Sequence, residues 1–406
     1  MITDKMIPAF QKAEGGLFSQ VEKADVGDGV LKMHERGVKL MSWADPFYPD
    51  PSLPPQVAEA MKKSIDSGFA SHYTVPIGSE ALKEEIAKKL ENENGMKVCP
   101  SRNILITPGS DSGLFFAMLP FIHDGDEVMV VDPSYPNNCQ NVEIMGGKVV
   151  RIPVYAENGY QFDVTDFEKK LSAKTKMIVL TNPNNPTTTV YRREKLEALA
   201  RFIIKNDLVL VVDQAFEQLV YDDVEMVTMA VLPGMWERTV TVFSISKGMG
   251  LSGLRVGYIV ADDHVIDKMY GTAVSVLGAT NTAAQQGAIA ALQDDSFVKG
   301  YYETFERRRH IVYDALHDIP GVSMQLPESS FLAWIDISAL GSDSEVAAYL
   351  NEKALVSINT GSPYGKQGTG HLRIVDGVFG KEEDLKAAMA RMRAALIELG
   401  KEKGVH

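Results

Sequence analysis

Between residues 103 and 260 the chain alternates two patterns. Short apolar runs rich in Val and Ile recur, bounded by Gly, Pro, Asn or Asp. Between them lie longer stretches with apolar residues at helical spacing. Runs of the first kind suit strands buried on both faces, and the second suit helices that cover a sheet. The pattern predicts strands over Asn103–Thr107, Glu127–Val131, Val149–Pro153, Met177–Leu180, Leu208–Val212, Thr239–Ile245 and Val256–Val260. It predicts helices over Ser112–Phe121, Asn138–Met145 and Arg193–Asn206. That is an α/β arrangement with a mostly parallel sheet covered by helices.

Upstream, helical stretches are expected around Met6–Phe18 and Val30–Arg36. A proline-rich stretch follows, Asp45 to Pro51 and then Pro54-Pro55, where regular structure breaks. Helices resume at Gln56–Ser67 and Ser79–Asn94. From about Thr282 the pattern turns helical, and Gly321–Met324, Phe331–Ile335 and His371–Val375 suggest a small α+β unit. The expected division is an N-terminal arm (1–49) packing with the small domain, a large domain (50–290) and a small C-terminal domain (291–406).

Composition narrows the class. The 406 residues are 45% hydrophobic and 23% charged, enough for a sizeable core without disulfide or metal staples. No apolar run reaches the ~18–20 residues of a membrane span, and the first residues lack the apolar core of a signal peptide, so cytoplasm is expected. A net charge of −13 disfavours nucleic-acid binding. The basic run Arg307-Arg308-Arg309-His310 is expected on a solvated helix face. Cys99 and Cys139 cannot form a disulfide framework or a four-cysteine zinc site, and both are expected as buried reduced thiols; no metal is expected.

Gly248, Gly250 and Gly253 match G-x-G-x-x-G after a strand. A dinucleotide fold needs a helix opening on that loop, so that its N-terminus faces the pyrophosphate. Leu254–Val260 turns into an apolar strand almost at once, so that reading is set aside.

The same segment, Ser244-Ile245-Ser246-Lys247-Gly248-Met249-Gly250-Leu251-Ser252-Gly253-Leu254-Arg255-Val256-Gly257, holds a lysine leaving a strand among serines, with an arginine eight positions on. Pro108-Gly109-Ser110-Asp111-Ser112-Gly113 lies between a strand and a helix, where unpaired amides make an anion cradle. Asp213 ends an apolar strand. The segment 181–187 reads Thr-Asn-Pro-Asn-Asn-Pro-Thr.

Together these motifs resemble the fold-type I pyridoxal-phosphate (PLP) enzymes, specifically the class I/II aminotransferases, over nearly the whole chain. The resemblance implies an amino-group transfer between an amino acid and a 2-keto acid. Lys247 becomes the Schiff-base lysine, and a desolvated lysine has the lowered pKa such an amine needs. Ser110, Asp111, Ser112, Ser244 and Arg255 would surround the cofactor phosphate, with the Asp111 side chain expected to cap the helix or point away. Tyr135, in Asp132-Pro133-Ser134-Tyr135-Pro136, would stack on the pyridine ring. Asn185 would donate to the phenolic oxygen and border the substrate. Asp213 would keep the pyridine nitrogen protonated, so that the ring draws electrons from Cα.

Arg373, in His371-Leu372-Arg373-Ile374, matches the arginine that grips the substrate carboxylate. Trp43-Ala44-Asp45-Pro46 is similar to the segment that closes over substrate, with Ala44 in place of a common glycine. Tyr73 matches a tyrosine that crosses a homodimer interface to the partner subunit's phosphate site. Two departures stand out: Thr188 replaces a glycine, and Phe216 replaces the tyrosine that also donates to the phenolic oxygen. Phe216 keeps open another PLP activity on an amino acid, a β-lyase or an oxygen-dependent oxidase or deaminase.

Overall fold

In a computed structural model, residues 2–11, 33, 35–48, 52–75 and 77–405 are described. Of the two expected N-terminal helical stretches, Pro8–Gln11 is helical, and most of the remainder lies outside the described residues, as do Pro49, Asp50 and Pro51.

Seven strands form the central sheet: β1 (Ile104–Thr107), β2 (Glu127–Asp132), β3 (Lys148–Pro153), β4 (Thr175–Thr181), β5 (Val209–Asp213), β6 (Thr239–Ser244) and β7 (Gly257–Val260). Their order is β1-β7-β6-β5-β4-β2-β3. Only β7 runs antiparallel to its neighbours. Residues of β1, β2 and β7 are buried throughout, as apolar runs covered on both faces require. The covering helices include Ser110–Met118, Pro136–Ile144 and Arg193–Lys205, each within a few residues of its expected span.

The reversal at β7 explains the misleading glycine pattern. β6 joins β7 through a tight connection with one 3₁₀ turn, Ser252–Leu254, and no crossover helix intervenes. Antiparallel neighbours need no crossover. Ser244 and Gly257 therefore face each other across the strand pair, and Lys247 and Arg255 occupy the connection.

A second sheet is antiparallel, in the order β10 (Asn359–Thr360), β11 (His371–Val375), β9 (Leu332–Asp336), β8 (Ser323–Met324). The helices Ser296–Leu316, Asp343–Lys353 and Glu382–Glu402 pack on it around Val312, Leu332, Ile335, Val346, Ile374 and Leu396. Met41 joins that core, and its carbonyl accepts from Val375 N at 2.8 Å. The segment before the first sheet is thus stitched to β11.

Two expectations fail here. Cys99 is exposed, whereas Cys139 is buried and its thiol is pushed up to about 11 by that burial. The basic run is not a solvated face: Arg308 and Arg309 are 1% and 0% exposed. Successive helical residues point ~100° apart, so four of them cannot share one face. Arg308 donates to the carbonyls of Phe379 (2.6 Å), Asp376 (3.3 Å) and Gly377 (3.4 Å). Arg309 grips both carboxylate oxygens of Asp222 (2.7 and 2.6 Å) and the carbonyl of Pro327 (2.8 Å). These guanidiniums tie the long helix to loops that carry no regular structure.

Candidate active site

Five loops that leave the C-terminal ends of β1, β2, β4, β5 and β6 carry most of the expected residues. That edge of a parallel sheet is where helix N-termini and loop side chains converge, so ligands bind there.

The loop after β1 turns at Gly109 (φ +84) and opens the helix Ser110–Met118. No side chain caps this helix, so the amides of Ser110, Asp111 and Ser112 remain donors. The Arg255 guanidinium lies against Gly109, and a Cβ at 109 would collide with it. Arg255 itself takes a left-handed φ of +51° and donates to the carbonyl of Ser252 at 3.0 Å. Gly257, paired with Ser244, packs against the backbone of Gly109 and Ser110. A guanidinium, two serines and a free helix N-terminus thus meet at one point, the chemistry of a phosphate site. The Ser244 hydroxyl currently accepts from Ser246 N at 3.0 Å.

Asp111 does not cap the helix. Its Oδ1 accepts from the Tyr135 hydroxyl at 2.9 Å and the Asn137 amide at 3.1 Å. The side chain has turned away from the helix axis toward the ring expected to stack on the cofactor.

Asp213 ends β5 and is 5% exposed. Burial pushes its carboxyl up to about 7, against one hydrogen bond from Ala215 N at 3.0 Å to Oδ1. Lys247 has the reverse problem. Burial pulls its ammonium down to about 8, and Arg373 and Arg255 assist, while Asp111 and Asp45 oppose. Its Nζ donates to the carbonyl of Ala44 at 2.6 Å.

Arg373 projects from β11 and is 6% exposed. Its Nη1 donates to Asn185 Oδ1 at 3.2 Å, and its Nη2 to the Ser42 carbonyl at 3.1 Å and Asn359 Oδ1 at 2.6 Å. Its Nε is buried without a partner among the described residues. Asn185 sits in the loop after β4, held by bonds such as Asn184 N to the Thr189 carbonyl at 2.8 Å. Thr188 adopts φ +63°, the left-handed backbone that a glycine takes most easily, so the substitution keeps that turn.

Lys247, Arg255, Ser110, Asp111, Ser112, Tyr135, Asn185, Asp213, Arg373 and Ala44 are therefore brought to one region, with Ser244 beside the helix N-terminus. Tyr73 is apart from them, its side chain 99% exposed. Phe216 is buried with its ring edge-on to Phe331, centroids 5.5 Å apart.

Sequence reasoning missed an ion pair behind this site. Lys89, from the helix Glu80–Asn94, pairs with Glu217, and the Asn94 amide donates to Glu217 Oε2 at 2.6 Å. Gln214, next to Asp213, donates to the same oxygen at 3.0 Å. Lys89 and Glu217 are 128 positions apart, so no local motif announces them.

The family model for aminotransferases of class I and II matches residues 38–392. The chain belongs to that family. Among curated relatives of this aminotransferase, an aspartate aminotransferase of Pyrococcus abyssi is 32% identical over 354 residues, covering 86% of this chain and 90% of that one. An aromatic-amino-acid aminotransferase 2 of Thermococcus litoralis matches at the same identity and coverage. The solved aromatic aminotransferase of Pyrococcus horikoshii OT3 superposes with a TM-score of 0.84 at 29% identity, covering 92% of this chain and 99% of that one. The aspartate aminotransferase of Thermus thermophilus with maleate gives 0.82 at 29% identity, covering 90% and 94%.

The protein is thus a PLP-dependent transferase with the fold-type I architecture. Its own residues fit that cofactor. Asp213 is a buried carboxylate short of donors, suited to a protonated ring nitrogen. The amides at Ser110–Ser112 and the Arg255 guanidinium suit a phosphate. No described helix is long and apolar enough to cross a membrane.

Proposed function

We propose that this aminotransferase works through Lys247 as base and cofactor anchor, Asp213 as partner of the pyridine nitrogen, and Arg373 as carboxylate clamp. The observation that carries this reading is the convergence of these three side chains, from β6, β5 and β11, beside the free helix N-terminus at Ser110. The bound cofactor supplies an electron sink that acidifies the substrate Cα–H.

The amides of Ser110, Asp111 and Ser112, with Ser244 and Arg255, hold the phosphate. Tyr135 would pack on the ring, and Asn185, whose Oδ1 is engaged by Arg373, would have its amide hydrogens left for the phenolic oxygen. Arg373 binds the α-carboxylate through guanidinium hydrogens and sets Cα facing Lys247. Lys247, lowered to about 8, has a neutral fraction near pH 7–8, so its Nζ can accept and hold the Cα proton. The Ala44 carbonyl holds that amine in place. The segment 42–46 covers the substrate from the β11 side.

The active unit in this reading is a homodimer, with Tyr73 donating to the partner's phosphate site. Exposed Phe69, Tyr73 and Val75 form the apolar surface such an interface would cover. The large domain spans 50–290 and the small one 291–406, with the arm on the latter, and the enzyme works in the cytoplasm, where free amino acids circulate.

Product analysis tests the reading. PLP-loaded protein should convert an amino acid only while a 2-keto acid acceptor is present, with one new amino acid formed per keto acid released. Ammonia or peroxide formed instead, without an acceptor, would count against transamination. Mixed Tyr73→Ala and Lys247→Ala subunits should regain activity that neither has alone; full activity of a sedimenting monomer would refute the shared site.

A further inference from the structure

Arg373 and Lys247 mark where the carboxylate and amino groups of a substrate must lie, and both rest on one short segment. Arg373 Nη2 donates to the Ser42 carbonyl at 3.1 Å, and Lys247 Nζ to the Ala44 carbonyl at 2.6 Å. The next residue, Asp45, is half-buried, and its carboxylate takes no donor among the described residues. Asp111 is the second carboxylate at this site. Tyr135 and Asn137 both hold its Oδ1, while Oδ2 takes no donor among the described residues and the side chain is open to solvent. Its hydrogen bond to the Tyr135 hydroxyl places Asp111 beside the ring expected to stack on the cofactor, within electrostatic reach of Lys247 and Asp213.

The cations at this place are already committed. Those that bear on Lys247 are Arg373 and Arg255, taken by the substrate carboxylate and the cofactor phosphate. Among the described residues Arg373 Nε is buried without a partner, which leaves a donor for the substrate α-carboxylate. A substrate with a second carboxylate would bring it to Asp111 and Asp45, with Arg373 and Arg255 already engaged. An ammonium or guanidinium on the side chain would find two carboxylates short of donors.

We propose that Asp111, together with Asp45, selects amino acids with a cationic side chain and rejects side-chain carboxylates. The proposal rests on the site roles given above. It separates this chain from the relatives named for aspartate, and it gives Asp111 a task other than holding phosphate. Tyr135 and Asn137 act as positioning residues, because they fix Oδ1 and leave Oδ2 outward.

The test uses PLP-loaded enzyme with L-ornithine, L-lysine, L-arginine, L-norleucine, L-aspartate and L-glutamate. The amino-acid half-reaction is followed by the change in cofactor absorbance. Expected is a kcat/KM for the best cationic substrate about 100-fold or more above that for aspartate. Asp111→Asn should cut the ratio of that substrate to norleucine about tenfold, Asp111→Glu should restore part of it, and Asp111→Lys should shift preference toward aspartate. An enzyme that prefers norleucine or a dicarboxylate overturns the proposal and leaves transamination standing. So does a cationic preference that Asp111→Asn leaves untouched. A cofactor whose spectrum no amino acid changes would overturn the site roles instead.

Discussion

Lys89 and Lys247 are both held inside this protein, and the fold treats them oppositely. Burial alone would push Lys89 down, but Glu217, Tyr258 and Glu93 bring it back above its ordinary value, with Asn94 Oδ1 a further partner at 2.8 Å. Lys247 has a backbone carbonyl and two more distant carboxylates, and burial wins, leaving it at about 8. A paired buried cation is a strut, whereas an underpaired one is a reactive amine. Both lie behind or within the same site. Glu217 ties Lys89 to the loop of Asp213, and Gly248, next to Lys247, packs against Gln218.

The contrast breaks most sharply at Lys247. Replacing it with alanine should lower transamination by about 10³-fold or more and abolish the visible band of the lysine-bound cofactor. Stability should move the other way. The folded pKa of about 8 lies below the unfolded value, so the unfolded chain binds more protons between about pH 8 and 10.5. Cofactor-free wild type should therefore gain stability as pH rises through that window. Lys247→Ala should be more stable than wild type by about 1–3 kcal/mol at pH 7, with the gain gone above pH ~10.5. Urea unfolding at pH 7 and pH 10.5 reads both.

Glu217→Gln should do the converse. Leaving Lys89 charged and buried with only the half-exposed Glu93 (3.3 Å) and Asn94 as partners should cost up to about 3–5 kcal/mol, read as a lower urea midpoint. The double variant Lys89→Met with Glu217→Leu should recover most of that loss. If the single variant is neutral, Lys89 is not the strut described here.

Arg373→Ala should lower kcat/KM for amino acids by about 2–4 kcal/mol, mostly through KM, and change cofactor affinity far less. Equal losses of both would move Arg373 from substrate clamp to cofactor support.

The smallest effect is expected at Phe216. A tyrosine hydroxyl there would add a donor near the phenolic oxygen, worth ~1.5–3 kcal/mol to an anion. Phe216→Tyr should lower the pH midpoint of the cofactor's spectral titration by about one to two units. An unchanged midpoint would mean that the ring stays edge-on to Phe331 with its hydroxyl in the core.

Contiguous chemistry was legible in the sequence because its partners are neighbours on the chain. The turn at Gly109 and the helix at Ser110, the loop through Asn185, the strand end at Asp213 and the β6–β7 connection with Lys247 and Arg255 each appear in one stretch. Strands were legible for a related reason: burial on both faces demands unbroken apolar runs, and such runs show in the residues themselves.

What only the tertiary structure decided depends on which residues pack across large separations. Arg308 and Arg309 looked solvated because charge favours water. They are buried because loop carbonyls and Asp222 take up their Nη donors, and nothing near them in the chain announces those partners. The Asp111 carboxylate could have capped its helix; Tyr135, after another strand, and Asn137, in the first turn of the helix that follows, hold it instead. A motif marked Lys247 in one dimension, and nothing local marked Lys89. Whether a buried amine is a strut or a base is set by the distance to an acid elsewhere in the chain, and only folding fixes that distance, since electrostatic energy in a poorly polarisable interior depends steeply on it.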